Sequence, residues 1–294
     1  AERARIAQRE HACRAAQRKP AENRTGQGRL LPIMRRLTLL SKGRHSELYA
    51  LDPGRVVKLF RAGYAPQAIE TELQHARRAH ELGVPTPRPE GIIETQGRRG
   101  IVFERVEGPT VFDAIGAGET PPPRLAELFF GLQRAINALP GAGLPDLKER
   151  VALKVCHANA AEALKREALA ELASLPPGES ACHGDFHPAN VIMAARGPMV
   201  VDWLDAGRGD AALDAARTLL LLRYARSGGI AAGLRAAFVA AYVDCLREAW
   251  RGRTGPIERW QRPLAVARLA EAVDETECNN LLKLLSTTRA PSPS

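Results

Sequence analysis

His183-Gly184-Asp185-Phe186-His187-Pro188-Ala189-Asn190-Val191 is the stretch from which the rest of the chain can be read. It sets a carboxylate, Asp185, five positions before an amide, Asn190, and leads into the apolar run Val191-Ile192-Met193. A second apolar run, Met199-Val200-Val201, ends at Asp202-Trp203, so another carboxylate follows Asp185 by seventeen positions. The two runs read as short strands that carry functional loops. One loop presents a carboxylate and an amide, and the hairpin then brings the second carboxylate alongside. Phosphoryl transfer from ATP asks for such a set. A carboxylate must orient the attacking hydroxyl and take its proton, oxygen ligands must hold Mg2+ against the phosphates, and a braced lysine must fix the phosphates. Mg2+ prefers oxygen ligands and keeps several waters, so an amide and a carboxylate suffice on the protein side.

The separation of Asp185 and Asn190 matches the kinase catalytic loop HRDxxxxN, with Gly184 in place of the arginine. Asp202 takes the place of the DFG aspartate, although Trp203-Leu204 follows it. HGDFHPANV followed by VVDW resembles the aminoglycoside phosphotransferase and choline-kinase-like family. The resemblance implies an α+β, protein-kinase-like two-lobe fold, with a small antiparallel sheet and one helix in the N-lobe and a larger, mainly helical C-lobe. It implies that Asp185 is the catalytic base, that Asn190 and Asp202 are Mg2+ ligands, and that His183 supports the loop. His187 reads as a local loop hydrogen bond. The run from Asp202 to Asp214 is similar to the family's Asp-Trp-x-x-Ala-Gly-x-Gly-Asp-x-x-x-Asp. Within it Gly207 and Gly209 suit a tight turn, Asp210 suits a helix N-cap, and Asp214 braces the catalytic loop. Asp205 is either a solvated loop acid or part of the substrate site.

Upstream, 33–40, 46–51 and 55–60 read as strands of a meander, the third after the turn Asp52-Pro53-Gly54. A helix is expected over 66–82, stopped by Gly83, and two more strands at 91–95 and 100–106. Beyond Gly108-Pro109 the pattern is helical, over 111–116, 124–139, 146–174, 210–226, 228–250 and 257–285. The sequence thus divides into a basic extension over 1–30 that is disordered or weakly helical, a nucleotide-binding lobe over 33–107, a catalytic and substrate lobe over 108–289, and a disordered tail over 290–294.

Lys58 stands in the apolar strand Val56-Val57-Lys58-Leu59-Phe60, where alternation alone would send it to solvent. Placed upstream of HGD, it is similar to the family's phosphate-binding lysine, acting as a point charge. Its expected partner is a carboxylate on the next helix. Glu70 and Glu72 are both candidates on different faces, and Glu72 fits the family pattern better. The loop Ser41 to Ser46 is similar to the family's phosphate-covering loop, with Gly43 and Ser46 as phosphate contacts, although a plain hairpin loop would read the same way. The strand Ile101 to Gly108 looks like the family's hinge, with adenine bonded by backbone between Glu104 and Val106.

Composition sets the outer bounds. The chain has 294 residues, 45% hydrophobic and 26% charged, which suits a globular core. The richest apolar stretch, Leu219 to Leu222, is far too short to cross a bilayer. Five scattered cysteines (Cys13, Cys156, Cys182, Cys245 and Cys278) show no metal-like spacing and read as reduced thiols of a cytoplasmic protein. Of the net charge of +9, the larger share lies in the first thirty residues, which hold eight basic and three acidic side chains. Such a leader could touch polyanions, yet a solvated leader is the simpler reading, and nucleic acid is not an expected partner. Glu2, Glu10 and Glu22 and the absence of serine argue against a transit peptide. A start at Ala1 reads as a processed, trimmed or partial sequence.

The implied activity is transfer of the ATP γ-phosphate to a small-molecule hydroxyl acceptor, an aminoglycoside, amino alcohol, sugar or similar, by a monomer or homodimer. A catalytically silent kinase-like nucleotide-binding or scaffold protein is the alternative. The joint presence of Lys58, Asp185, Asn190 and Asp202 counts against it. Carboxylates around Glu271, Asp274, Glu275 and Glu277 would suit a polycationic acceptor, or they form a solvated face with Arg268 and Lys283 in reach.

Overall fold

A computed structural model of the chain describes residues 37–225, 228–251, 255–271 and 274–287. The chain opens with strands β1 (Thr38–Lys42), β2 (Ser46–Asp52) and β3 (Arg55–Phe60), then helix α1 (Pro66–Glu81), then β4 (Pro89–Thr95) and β5 (Arg98–Glu104). The five strands form one antiparallel sheet in the order β1-β2-β3-β5-β4. Strand β3 lies at its centre, which explains its apolar run: Val56, Val57, Leu59 and Phe60 are all buried. Proline at the start of α1 fits a position whose N–H has no helical partner. The buried stripe of α1 is Ile69, Glu72, Leu73, Ala76 and Ala79, so a carboxylate sits among apolar neighbours facing the sheet.

The remainder is mainly helical: α2 (Val111–Ala117), α3 (Pro122–Asn137), α4 (Leu147–His157), α5 (Glu162–Ser174), α6 (Ala211–Tyr224), α7 (Ala232–Ala249), α8 (Gly255–Arg268) and α9 (Glu275–Thr287). Helix α2 starts at a capping box in which Thr110 and Asp113 satisfy each other's backbone N–H. Between α5 and α6 run two small antiparallel pairs. They join β6 (Ser180–Cys182) to β9 (Gly207–Gly209), and β7 (Val191–Ala194) to β8 (Gly197–Val200). The core around them is aromatic. Phe129 of α3 meets Phe186 at 4.4 Å, Phe238 at 5.7 Å and Tyr242 at 5.9 Å between ring centroids. The α+β, two-lobe expectation therefore holds.

Several boundaries differ from the sequence reading. The first strand begins at Thr38 and runs to Lys42; the expected 33–36 portion lies outside the described residues, as do the leader and the tail. The helix expected over 146–174 is two helices, because the chain extends at Ala158 and restarts from Ala161 without a glycine or proline to announce it. The helix over 257–285 also divides, ending at Arg268 and resuming at Glu275. Gly207 and Gly209 lie in a strand rather than a turn, where Leu147 packs so close to Gly207 that a Cβ would meet it at 2.5 Å. Among the described residues Cys156, Cys182, Cys245 and Cys278 are free thiols, and none of the helices is long and apolar enough to cross a membrane.

Candidate active site

The catalytic loop is fastened to the helical core by its own sequence. Phe186, fully buried against Phe129, anchors the segment between Asp185 and His187. Burying such a ring contributes roughly 1.5–3 kcal/mol. Gly184 has φ +75°, and a Cβ there would lie 2.1 Å from the Asp205 carbonyl oxygen, so only glycine fits. Its N–H donates to Asp214 Oδ1 at 2.8 Å. Asp214 is fully buried, and its other oxygen accepts from Asn137 at 3.1 Å and Gln133 at 3.3 Å. The Asp185 N–H donates to His183 Nδ1 at 3.3 Å, so His183 carries its proton on Nε2 and donates it to the Val201 carbonyl at 3.0 Å. His183 thereby ties the Asp185 loop to the strand that precedes Asp202. Asp210 caps α6 by accepting from the Ala212 N–H at 2.8 Å.

Asn190 donates through Nδ2 to the Asp185 carbonyl at 3.0 Å, which leaves its amide oxygen as the end free to face a cation. Val201 N–H bonds the Asn190 carbonyl at 3.0 Å, so Asn190 and Asp202 sit on adjoining backbone. Asp202 itself has φ +68°, an uncommon conformation for a residue with a side chain. Its carboxylate is 45% exposed. Among the described residues no three His, Cys, Asp or Glu side chains form a metal cage. Two oxygen donors on adjoining backbone fit a divalent ion shared with a polyphosphate.

Lys58 bridges the two halves of the molecule. Its Nζ lies 2.6 Å from Glu72 Oε1 and 3.2 Å from Asp202 Oδ1. Burial works against its charge, but Asp202 and Glu72 outweigh it and hold the ammonium firmly protonated. Burial pushes the Glu72 carboxyl up to about 7 in spite of Lys58, since Asp202 competes for the same cation. Glu70 instead pairs with Arg99 at 3.1 Å on the surface, so the helix face decides between the two glutamates. One turn beyond Glu72, His75 Nδ1 donates to the Trp203 and Leu204 carbonyls (3.1 and 3.2 Å), which locks α1 to the Asp202 loop.

Gly43 spends its N–H on the Ser46 carbonyl at 2.8 Å. It closes the β1–β2 turn, and a phosphate contact through that N–H is not open to it. Glu104 N–H bonds the Arg88 carbonyl at 3.0 Å and Arg105 N–H bonds the Gly54 carbonyl at 2.8 Å. Val106 therefore supplies the N–H of this segment that has no partner among the described residues. The Glu104 carboxylate meets Arg196 of the β7–β8 turn at 2.6 Å.

The sequence reading passed over the group behind Asp185. Arg217, almost fully buried on α6, reaches Asp185 Oδ1 at 3.4 Å and Glu271 at 2.7 and 2.9 Å. It lies three residues after Asp214, so one helix face braces both the backbone and the carboxylate of the loop. His187 Nε2 is 3.6 Å from the other Asp185 oxygen. Burial alone would raise Asp185; His187 and Arg217 override it and hold the carboxyl well below the usual range. Glu271 is held down to about 2 against burial by Arg217, Lys154 (2.8 Å) and Arg268. Lys154 also bonds Asp205 at 2.9 Å. The available signal was an arginine set among the alanines and leucines of α6.

Comparison with known proteins agrees with this geometry. The family model described as "Phosphotransferase enzyme family" matches residues 36–255. No curated protein sequence matches the chain significantly. Among solved structures, an aminoglycoside-3'-phosphotransferase of type VIII is 21% identical, covering 80% of this chain and 93% of its own with a TM-score of 0.54. Amicoumacin kinase in complex with AMP-PNP, Ca2+ and Ami is 16% identical, covering 87% and 88% with a TM-score of 0.55. A choline/ethanolamine kinase family protein from Mesorhizobium loti is 17% identical, covering 88% and 90% with a TM-score of 0.55. These likenesses show a shared fold.

Proposed function

The chain belongs to the phosphotransferase enzyme family and is an ATP-dependent small-molecule kinase, and from that premise we propose how its residues divide the reaction. Asp185 takes the proton of the acceptor hydroxyl as that oxygen attacks the γ-phosphorus. The new O–P bond forms, the bond from the γ-phosphorus to the β-bridging oxygen breaks, ADP leaves with that electron pair, and the proton passes from Asp185 to solvent. Asn190 and Asp202 would hold Mg2+, which would supply positive charge to the transferring phosphate. Lys58 grips the α- and β-phosphates, and Glu72 fixes Lys58. Adenine bonds the Val106 N–H and the Glu104 carbonyl at the hinge, and Ser46 lies over the phosphates. The related structure with AMP-PNP and Ca2+ supports a nucleotide held with a divalent cation.

The observation that carries this reading is the position of Lys58, bonded at once to Glu72 of α1 and to Asp202 beside the catalytic loop. Paired with a surface carboxylate alone, the lysine would be structural; set on the proposed metal ligand, it faces the phosphates. Asp185→Asn should lower turnover by about two orders of magnitude or more while nucleotide still binds. Asp202→Ala should abolish Mg2+-ATP binding. Full turnover in Asp185→Asn on a phosphorylated acceptor would remove the base assignment.

A further inference from the structure

Asp185 opens onto a cavity of about 420 Å3 whose remaining walls come from the helical lobe and, at Arg44, from the β1–β2 turn. The volume suits one small organic molecule. Phe112, Ile115, Leu221, Ile230, Phe238 and Val239 make the walls apolar. The charged groups on the lining are unequal in sign. Arg44, Arg235 and Arg268 all contribute, and among the described residues Asp185 is the only carboxylate. That carboxylate already meets Arg217. Two of the late-helix acids that a polycationic acceptor would need, Glu271 and Glu277, are engaged by the chain's own cations. Glu271 takes Arg217, Lys154 and Arg268, and Glu277 takes Arg268 at 2.7 Å.

Arg235 is the informative member. Its Nε and Nη2 donate to the Leu222 carbonyl at 3.2 and 2.8 Å, and Nη2 also to the Ala225 carbonyl at 3.0 Å. Those carbonyls close the C-terminal end of α6, where a cation is favoured. The guanidinium is thus fixed in place by neutral acceptors, and its Nη1 has no partner among the described residues. A rigid fork with an open donor on an apolar wall is what recognises a carboxylate or similar anion. An ammonium remote from the reacting hydroxyl would meet the Arg235 guanidinium and lose its hydration without a partner carboxylate.

We infer that the acceptor is an alcohol with an apolar body and an anionic group remote from its hydroxyl, the hydroxyl at Asp185 and the anion at Arg235. This rests on the kinase reading above and narrows its acceptor class.

Three probes of one skeleton that differ only in the far group test it: ω-hydroxyoctanoate, the matching terminal diol and the matching ω-amino alcohol. Their affinities are measured by calorimetry on the full chain saturated with Mg2+ and a non-hydrolysable ATP analogue. The carboxylate should bind at least about tenfold more tightly than the amino alcohol, with the diol between. In Arg235→Gln the ratio of carboxylate to amine affinity should collapse toward one, with a thermal melt to show that the variant is folded. Equal affinities, a tighter amine, or no binding of the carboxylate would overturn the proposal. Mg2+-dependent ATP turnover is measured separately. Its absence would defeat the kinase reading itself, and the proposal with it, whatever the order of affinities.

Discussion

Arg217 Nη2 stands 3.4 Å from Asp185 Oδ1 and meets it from the buried side of the catalytic loop. Among the described residues the arginine pairs with no nucleotide-side residue, and its other ion-pair partner is Glu271. It therefore acts on the base alone, keeping a largely desolvated carboxylate ionised and aimed at the cavity. Arg217→Met should lower kcat roughly tenfold or more and leave the KM for ATP unchanged. Without the guanidinium, burial raises Asp185, so the acid limb of the kcat profile should move to higher pH. Arg217→Lys should recover part of the loss. A pH profile superimposable on wild type would reduce Arg217 to a packing residue.

Glu72 gives a second pH signature, on binding instead of turnover. Its carboxyl is raised to about 7 because it is buried, and one of its oxygens has no hydrogen-bond partner among the described residues. Below that pH it gains a proton and Lys58 keeps only Asp202 as a charged partner. Lys58 then sits less firmly for the phosphates. The KM for ATP should rise as pH falls through about 7 in the wild type. Glu72→Gln should have the raised KM at every pH and a flat profile. If both proteins follow the same curve, the protonation lies elsewhere.

What the sequence disclosed and what it hid separate by range. The Asp185–Asn190 loop was legible because its function is local: five positions of chain fix its geometry, and Phe186 between them supplies the anchor. The choice of Glu72 over Glu70 came from the family resemblance, and helical phase agrees with it, since Glu72 shares the stripe of Ile69, Leu73 and Ala76. The Arg217–Glu271 pair was not, because fifty-four residues separate its members and neither belongs to a motif. Its clue was compositional, Arg217 standing among the alanines and leucines of the buried stretch 211–222. The same pair explains why one long helix was expected where two exist. Glu271 lies past the end of α8 and meets Arg217, Lys154 and Arg268, ion pairs to which local propensity is blind. Asp274, which caps α9 through the Glu277 N–H at 2.9 Å, was a readable restart signal that the run of carboxylates concealed.

Glu271 also makes a claim about acid stability. Its carboxyl is held down to about 2 in the folded protein against an ordinary value of 4.5. A depressed carboxyl contributes stability that is complete above its unfolded value and is lost as pH falls through its folded one. The window is therefore from about 4.5 down to about 2, and the contribution at neutral pH is about 3 kcal/mol. Denaturant unfolding between pH 6 and pH 3, run at about one-unit steps, should show wild-type stability falling as acid is added. Glu271→Gln should be less stable at neutral pH, because Arg217 and Arg268 lose a charge partner in a buried site. It should also show a shallower fall over the same window, since the group that titrates there is gone. Parallel curves for the two proteins would mean that Glu271 is not what links the catalytic lobe to acid, and that the cluster holds Asp185 without contributing to the stability of the fold.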